Sequence, residues 1–311
     1  MEKNGFGAKL FGLLFIFFLG YIAISRIHLL MDSIPPMSRY EYVFPISQSI
    51  SIIASLITTV FIFAYLIEPN FLTKKIEEVS DLELKRGEHG LLFILLCGSL
   101  WLIFSSSLAQ GFRAFEIRFI LEKSVEFGGI DQMSVLLNQL VLLIPFVVIP
   151  ISYMAIVNDK GYKEIIGFKK DNLLKNIVLG ILTGFLILLC VGIVNYGLIQ
   201  LFDVSQENML LGQIANLGPF FALFLSLSAG ISEEIFFRGF LQNKLGILTA
   251  SFLFAITHAG YGILIQISGP FVFGLIIGFV YYKTKDILIP IIAHTSLNLA
   301  VLLFTMYSIT P

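Results

Sequence analysis

Charged residues are scarce in this sequence. Asp, Glu, Lys and Arg together make up 13% of its 311 residues, about half of the roughly 25% that is usual in soluble proteins. Hydrophobic residues make up 57% of the chain, and the mean hydropathy is +0.91. So few ionic side chains cannot cover the surface of a soluble protein of this length. The composition therefore predicts an all-α polytopic membrane protein.

Two further scarcities exclude other classes of protein. The formal net charge of −1 leaves no excess of basic residues from which to build a nucleic-acid-binding face. The chain has two cysteines, Cys97 and Cys190, and both lie in apolar runs. We interpret them as small buried hydrophobic residues, because a disulfide framework or a zinc pair needs more cysteines in a recognisable spacing.

Long apolar runs are plentiful. A helix that spans a bilayer needs about 20 mainly apolar residues, and we predict nine such spans: Leu10–Ser25, Ile46–Ile67, Leu91–Leu108, Val135–Val157, Ile177–Phe202, Pro219–Leu241, Ile247–Gly262, Ile263–Tyr282 and Ile287–Tyr307. Because the seventh run is short and adjoins the eighth, eight spans with one re-entrant segment are the alternative. Lys3 and Lys9 before the first run also fit a signal peptide, although its length and aromatic content favour a retained anchor.

The distribution of Lys and Arg indicates the orientation. With the N-terminus inside, the inner segments carry 15 of these residues and the outer segments 5. This asymmetry predicts a cytoplasmic N-terminus and an external C-terminus. The Ile-, Phe- and Lys-rich composition is typical of a prokaryotic plasma membrane. The basic stretch 159–176 predicts a boundary between an N-terminal four-helix portion, residues 1–160, and the remainder, residues 161–311.

Ionisable residues within the predicted spans are confined to the last third of the chain. The sixth span contains Glu233, Glu234 and Arg238, and the seventh and ninth contain His258 and His294. Ionisable side chains are costly in hydrocarbon and indicate function. Glu234 and Arg238 are four residues apart on one helix face and can form an ion pair, whereas Glu233 points about 100° away from Glu234.

Helical rise places these residues at a similar depth. Glu233, His258 and His294 each lie roughly 11–16 Å from the inner ends of their spans. Asn298 follows His294 by one turn and shares its face. Arg238 is nearer the inner surface, where we expect its head group to reach water or backbone carbonyls.

These side chains suit hydrolysis. A carboxylate in a low-dielectric site is a candidate general base for water, and an imidazole with an amide can donate hydrogen bonds to a developing oxyanion. Glu233, His258 and His294 are alternatively a candidate zinc site with an open position, although the H-E-x-x-H signature is absent. The sequence leaves metal-dependent and metal-free hydrolysis open, so no cofactor is certain.

Three motifs in this order resemble one known family. Glu233 to Arg238 matches E-E-x-x-x-R, Phe254 to His258 matches F-x-x-x-H, and His294 to Asn298 matches H-x-x-x-N, with Phe271, Gly274 and Gly278 on the intervening helix. Together they resemble the CAAX protease and bacteriocin-processing (Abi) family of intramembrane endopeptidases.

The resemblance covers about the last 140 residues, from 166 onwards, and leaves the first four spans as an accessory or regulatory portion. It implies that Glu233 is the base and His258 holds the same water. It further implies that His294 and Asn298 form the oxyanion hole, and that Glu234 and Arg238 support the site. The implied partners are the lipid bilayer and a membrane-associated, prenylated or bacteriocin-type peptide.

Other functions fit this sequence less well. Ser232 lacks the G-x-S-G turn of a rhomboid-like serine protease, and no predicted span contains the aspartates of an aspartyl protease. A proton-coupled transporter would need acids at several depths. A non-catalytic immunity or scaffold protein is the main alternative. Gly274 and Gly278 are expected to allow close helix packing, and Asn138, Gln139, Asn195 and Gln266 to form interhelical hydrogen bonds.

Overall fold

The computed structural model describes residues 132–158, 167–169, 172–202, 209–259 and 264–309, together with 103, 104 and 107. Within these residues every regular element is helical. The helices are α1 (Gln132–Leu143), α2 (Ile149–Asn158), α3 (Leu173–Phe202), α4 (Met209–Ala215), α5 (Pro219–Glu234), α6 (Gln242–Thr257), α7 (Ile265–Thr284) and α8 (Leu288–Ile309). A π-helical turn joins α1 to α2 (Ile144–Val148), and a second joins α5 to α6 (Ile235–Leu241).

Five stretches of the described residues are long and apolar enough to cross a membrane. They are Val135–Met154, Leu173–Phe202, Pro219–Thr257, Ile265–Thr284 and Leu288–Ser308. The third stretch contains the predicted sixth run and most of the seventh, and the other four coincide with the predicted fourth, fifth, eighth and ninth runs. An all-α membrane protein is therefore confirmed for this part of the chain. The total of nine spans stays a prediction, because the first two runs and nearly all of the third lie outside the described residues. The signal-peptide alternative and the expected burial of Cys97 also concern residues outside the described part of the chain, so both stay predictions.

All of these helices belong to one compact unit, Gln110–Pro311. The domain boundary expected near residue 160 stays a prediction. The orientation of the termini likewise stays a prediction.

The stretch Pro219–Thr257 is a hairpin and not one straight helix. The rings of Phe237 and Phe254 are 5.0 Å apart, whereas a straight helix would separate these residues by roughly 26 Å. The chain reverses at Gly246, whose φ of 80° and ψ of 171° fall in a region that is nearly restricted to glycine. The part of α6 after this turn rises only about 16 Å, so its helix alone is shorter than the roughly 30 Å hydrocarbon core.

Glycines let helix α7 pack closely on α6. A Cβ added at Gly274 would lie 2.8 Å from the Cβ of Ser251, and one at Gly278 would lie 2.9 Å from the Oε1 of Gln242. The predicted packing role of both glycines is thereby confirmed. Gly180 and Gly184 of α3 make equally close approaches to Ile292 and Ala293 of α8.

Helix α8 begins at a buried acidic cap. Asp286 is 2% exposed, and its Oδ1 accepts a hydrogen bond from the backbone N–H of Leu288 at 3.1 Å. Its Oδ2 accepts a second hydrogen bond from Nδ2 of Asn176 at 2.6 Å. A side-chain acceptor of this kind satisfies a backbone N–H that has no intrahelical partner. The cap fixes where α8 starts and therefore the depth of His294.

The predicted fourth span packs along the helix that carries the two glutamates. Phe146 lies 4.9 Å from Phe236, ring centroid to centroid, and Tyr153 lies 5.9 Å from Phe240. Ser228 donates a hydrogen bond to Gln139 at 3.0 Å. This bond confirms the interhelical bonding expected of Gln139, as the bond from Ser268 at 3.2 Å does for Asn195. The described contacts do not test the same expectation for Asn138 and Gln266.

Candidate active site

Two helices meet at a buried contact between a carboxylate and an imidazole. Oε1 of Glu234, near the end of α5, lies 2.7 Å from Nδ1 of His294 in α8. Glu234 is fully buried, and His294 is 3% exposed. An ionised carboxylate can only accept hydrogen bonds, so Nδ1 donates to it and Nε2 is the ring nitrogen that remains for other partners. The contact fixes the orientation of the His294 ring.

Arg238 forms an ion pair with the other oxygen of Glu234. Its Nε lies 3.1 Å from Oε2 of Glu234, which confirms the ion pair predicted from their spacing. The guanidinium carbon lies 4.8 Å from the ring centre of Phe254 and 5.2 Å from that of Phe273. Such cation–π contacts favour a cation that has been removed from water.

The expected contact of the Arg238 head group with water or backbone carbonyls is wrong, whereas its expected depth near the inner surface stays a prediction. Arg238 is only 1% exposed, because Phe237, Phe254 and Phe273 surround its guanidinium group. The prediction assumed that the side chain of Arg238 extends toward water near the end of its span. Instead, the chain reverses at Gly246 and α6 covers the side chain.

Glu233 differs from Glu234 in its surroundings. It is half-buried, and within the described residues its Oε2 is buried and has no hydrogen-bond donor. In contrast, Oε1 of Glu234 is hydrogen-bonded to His294, and its Oε2, although it has no hydrogen-bond donor either, lies in an ion pair with Arg238. Of the two adjacent carboxylates, Glu234 is therefore held by His294 and Arg238, whereas Oε2 of Glu233 has neither a donor nor an ion pair among these residues.

His258 lies directly after the last residue of α6. Its Nδ1 is 3.0 Å from the backbone oxygen of Phe254 and 3.2 Å from Oγ1 of Thr257. Its ring lies 4.8 Å from that of Phe254, centroid to centroid, with the two planes tilted by 52°, so these two residues share a face as predicted. Glu233, His294 and Arg238 are all near enough to interact electrostatically with the imidazole. The structure therefore brings the three motifs to one place.

Phe254 and Phe273 hold these polar groups together. The Phe273 ring lies 4.6 Å from His294, and the Phe254 ring lies 5.8 Å from it. The two rings are themselves 5.4 Å apart. The sequence motif drew attention to Phe271, two residues away, and missed Phe273. Its position one residue before Gly274, on the face that packs against α6, is the signal that identifies it.

Asn298 follows His294 by one turn of α8 and is half-buried. Helical geometry places both side chains on one face. The role of the two side chains as hydrogen-bond donors to one oxyanion stays a prediction.

The candidate zinc ligands do not form a metal site. Among the described residues, which include Glu233, His258 and His294, no group of three or more His, Cys, Asp or Glu side chains is arranged to hold a metal ion. One nitrogen of His294 already contacts Glu234, and Nδ1 of His258 faces a backbone oxygen. Metal-bound histidines commonly place their other ring nitrogen against a carboxylate or a backbone oxygen, so these two contacts are compatible with either form of hydrolysis. Metal dependence stays a prediction.

Comparison with known proteins agrees with the motifs. A family model described as type II CAAX prenyl endopeptidase Rce1-like matches residues 215–300, a segment that contains all six predicted site residues. No curated protein and no solved structure matches the chain. The family match confirms the resemblance to the CAAX protease and bacteriocin-processing family. Through residues 215–300 the chain thus matches the Rce1-like type II CAAX prenyl endopeptidases, a family of membrane proteases.

Proposed function

We propose that this protein is an intramembrane endopeptidase in which Glu233 activates a water molecule to cleave a peptide bond. The observation that carries the proposal is the difference between the two adjacent glutamates. Glu234 contacts His294 through a hydrogen bond and Arg238 through an ion pair, whereas Oε2 of Glu233 has neither a donor nor an ion pair among the described residues. A general base must have such an oxygen within hydrogen-bonding reach of its water.

The proposed reaction uses residues of three helices. Glu233 takes a proton from water while the water oxygen bonds to the scissile carbonyl carbon, and His258 orients the same water. The carbonyl oxygen becomes an oxyanion, which accepts hydrogen bonds from His294 and Asn298. When the C–N bond breaks, the proton held by Glu233 passes to the leaving amine.

Hydrogen bonding limits how His294 can act in this step. Since Nδ1 faces Glu234, only Nε2 is available to the substrate. Nε2 can donate to an oxyanion only when the imidazole carries a proton on both nitrogens. We therefore assign the oxyanion contact to the doubly protonated ring, with Glu234 as its counter-ion.

The proposed substrates are membrane-associated peptides of the prenylated or bacteriocin type. The family match supports a CAAX-type protease in general. Glu233 and His294 lie within candidate membrane-spanning stretches, so a substrate must enter the bilayer to reach them. A peptide that carries a lipid group or an apolar segment meets this requirement.

The test compares the membrane proteomes and released peptides of cells that carry the wild-type protein or Glu233→Gln. This substitution keeps the size of the side chain and removes the base. We expect specific peptides to disappear in the variant while the amount of membrane-inserted protein is unchanged. Full function of Glu233→Gln in cells would favour the scaffold alternative and overturn the proposal. Proton-dependent flux in liposomes that survives the substitution would instead favour a transporter.

A further inference from the structure

Lysines are concentrated at one end of the described helices. Lys283 lies in the last turn of α7, and Lys285 lies just after it. Lys175 lies in the first turn of α3, and Lys244 lies two residues before the reversal at Gly246. All four lysine side chains are exposed. We call this part of the molecule the basic end.

Side-chain contacts bring the segments that carry these lysines together. Asn176 of α3 donates a hydrogen bond to Asp286, in the turn between α7 and α8, at 2.6 Å. Nδ2 of Asn243 lies 3.5 Å from the hydroxyl oxygen of Tyr281, in the last two turns of α7. The start of α3, the chain before the hairpin reversal and the turn between α7 and α8 are therefore neighbours.

No exposed carboxylate balances this charge within the described part of the chain. Asp286 is the carboxylate that these residues bring to the basic end, and it is 2% exposed. Its two oxygens already accept hydrogen bonds from Leu288 and Asn176. The four lysines form no ion pair with a described carboxylate. Exposed ammonium groups of this kind create a positive potential that attracts anions from outside the protein.

Two of the lysines lie against aromatic rings that are themselves exposed. Nζ of Lys283 lies 5.4 Å from the ring centre of Phe279 and 5.8 Å from that of Tyr282, and Nζ of Lys285 lies 4.7 Å from the Tyr282 ring centre. Both rings are more than half exposed. Tyrosine and lysine at the ends of membrane-spanning helices are typical of the level of the lipid headgroups.

The backbone of Lys285 gives an independent indication that its side chain has a role. Lys285 follows the last residue of α7 with φ of 51° and ψ of 34°, in the left-handed region. Glycine or asparagine is usual at this position, because other side chains raise the free energy of this conformation. The turn itself therefore does not account for a lysine here, and local strain of this kind points to a function.

Exposed apolar neighbours indicate which kind of anion fits the basic end. Leu174 precedes Lys175, Leu245 follows Lys244, and both leucines are exposed. The candidate membrane-spanning stretches of α3 and α7 begin and end within two residues of Lys175 and Lys283. A soluble anion gains nothing from apolar neighbours, whereas a phospholipid carries its phosphate next to hydrocarbon.

We propose that the basic end binds the phosphate groups of anionic phospholipids through Lys175, Lys244, Lys283 and Lys285. Lipids bound there contact the start of α3, the hairpin reversal and the turn that precedes α8. They therefore stabilise the arrangement that sets the depth of His294. This interaction is independent of the proposed proteolysis.

Native mass spectrometry of the purified full-length protein tests the proposal. The protein is equilibrated in detergent with equal amounts of phosphatidylglycerol and phosphatidylcholine that have the same acyl chains. We expect the wild type to retain phosphatidylglycerol preferentially. The double variant Lys283→Gln/Lys285→Gln should lower this preference by roughly five- to twenty-fold, because each lysine near a lipid surface contributes about a factor of five.

The matched control is Lys283→Arg/Lys285→Arg, which keeps both charges and should keep the preference. Equal retention of the two lipids by the wild type, or an unchanged preference in the glutamine variant, would rule out the proposal. A preference that is lost equally in the arginine variant would also contradict it, because charge would then not be the cause.

Salt dependence provides a measurement on the wild-type protein alone. Salt screens exposed charges, so the preference for phosphatidylglycerol should decline as sodium chloride is raised. Millimolar inorganic phosphate at constant ionic strength should leave the lipid bound. A preference that does not respond to salt, or displacement by inorganic phosphate, would count against a lipid site. These measurements decide the matter even if the glutamine variant fails to accumulate, and none of them requires peptide cleavage.

Discussion

His294 and Glu234 are 60 residues apart in the chain, yet Nδ1 of one lies 2.7 Å from Oε1 of the other. The contact joins the first motif of the family to the last one. It also separates the roles of two neighbouring glutamates, because it occupies Glu234 and leaves Glu233 available.

Glu234→Gln is expected to reduce activity without abolishing it. The glutamine amide can still contact His294, but it removes the counter-ion of both His294 and Arg238. We expect kcat to fall by about ten- to a hundred-fold, compared with at least a hundred-fold for Glu233→Gln. Steady-state cleavage of a lipid-modified peptide in nanodiscs measures both. A larger loss with Glu234→Gln than with Glu233→Gln would reverse the assignment of the base.

Substitution of Gly274 by alanine is expected to destabilise the protein. The added Cβ would lie 2.8 Å from Cβ and 3.0 Å from Cα of Ser251, so α6 and α7 would have to separate. We expect a loss of about 1–3 kcal/mol and reduced activity, because this helix pair carries Phe254 and Phe273. The matched control is Gly192→Ala, where nothing lies within 4 Å of the new Cβ. Thermal unfolding in detergent compares the two, and equal midpoints would contradict the prediction.

Gly246→Ala tests backbone strain without steric overlap. Nothing lies within 4 Å of a Cβ at this position, yet φ is +80°, which costs a residue with a side chain of order 1–3 kcal/mol. We expect lower thermal stability and a misplaced α6. Gly197→Ala, also with open space but inside helix α3, should preserve or slightly raise stability. The prediction fails if both variants unfold at the wild-type temperature.

Phe273→Leu is expected to lower activity more than stability. Leucine keeps an apolar side chain in contact with α6 but removes the ring that lies 5.2 Å from Arg238 and 4.6 Å from His294. Loss of a cation–π contact of this kind costs on the order of 1–2 kcal/mol, and kcat should fall with little change in KM. Phe279→Leu, an exposed position on the same helix, is the control. Equal kinetics for the two variants would show that Phe273 serves packing alone.

Removal of metal is expected to leave activity intact. Glu233, His258 and His294 are not arranged as a metal site, so purified protein should contain less than one equivalent of zinc and remain active after treatment with a strong chelator. Metal analysis and peptide cleavage before and after chelation provide the test. Loss of activity that zinc alone restores would refute the metal-free mechanism.

Sequence alone predicted the class of protein, and it predicted a set of site residues whose three motifs the structure brings together. Apolar runs locate the described spans, and the rule that ionisable side chains are costly in hydrocarbon singles out the three motifs. Helical spacing correctly paired Glu234 with Arg238, because that contact is local and depends only on periodicity. The contact of Glu234 with His294 depends on how two distant helices pack, and neither spacing nor depth predicts which of two adjacent glutamates faces α8.

The burial of Arg238 and the π-helical turn could not be predicted for a related reason. Each depends on α6 folding back at Gly246, and a single glycine between two apolar runs does not indicate how sharply the chain turns. Asp286 was missed because it stands one residue before the ninth predicted span, where a carboxylate is unremarkable in sequence. Its burial becomes evident only once Asn176 is placed beside it.

The reversal at Gly246 also bears on how the enzyme is assembled. It places Glu233, Arg238 and His258 on one hairpin of neighbouring helices, so their contacts can form as soon as that hairpin has been inserted. His294 and Asn298 arrive later, on the final helix of the described chain. A nascent chain would therefore hold the proposed base before it holds the groups proposed to stabilise the oxyanion, and it would become competent for proteolysis only when synthesis of this region is complete.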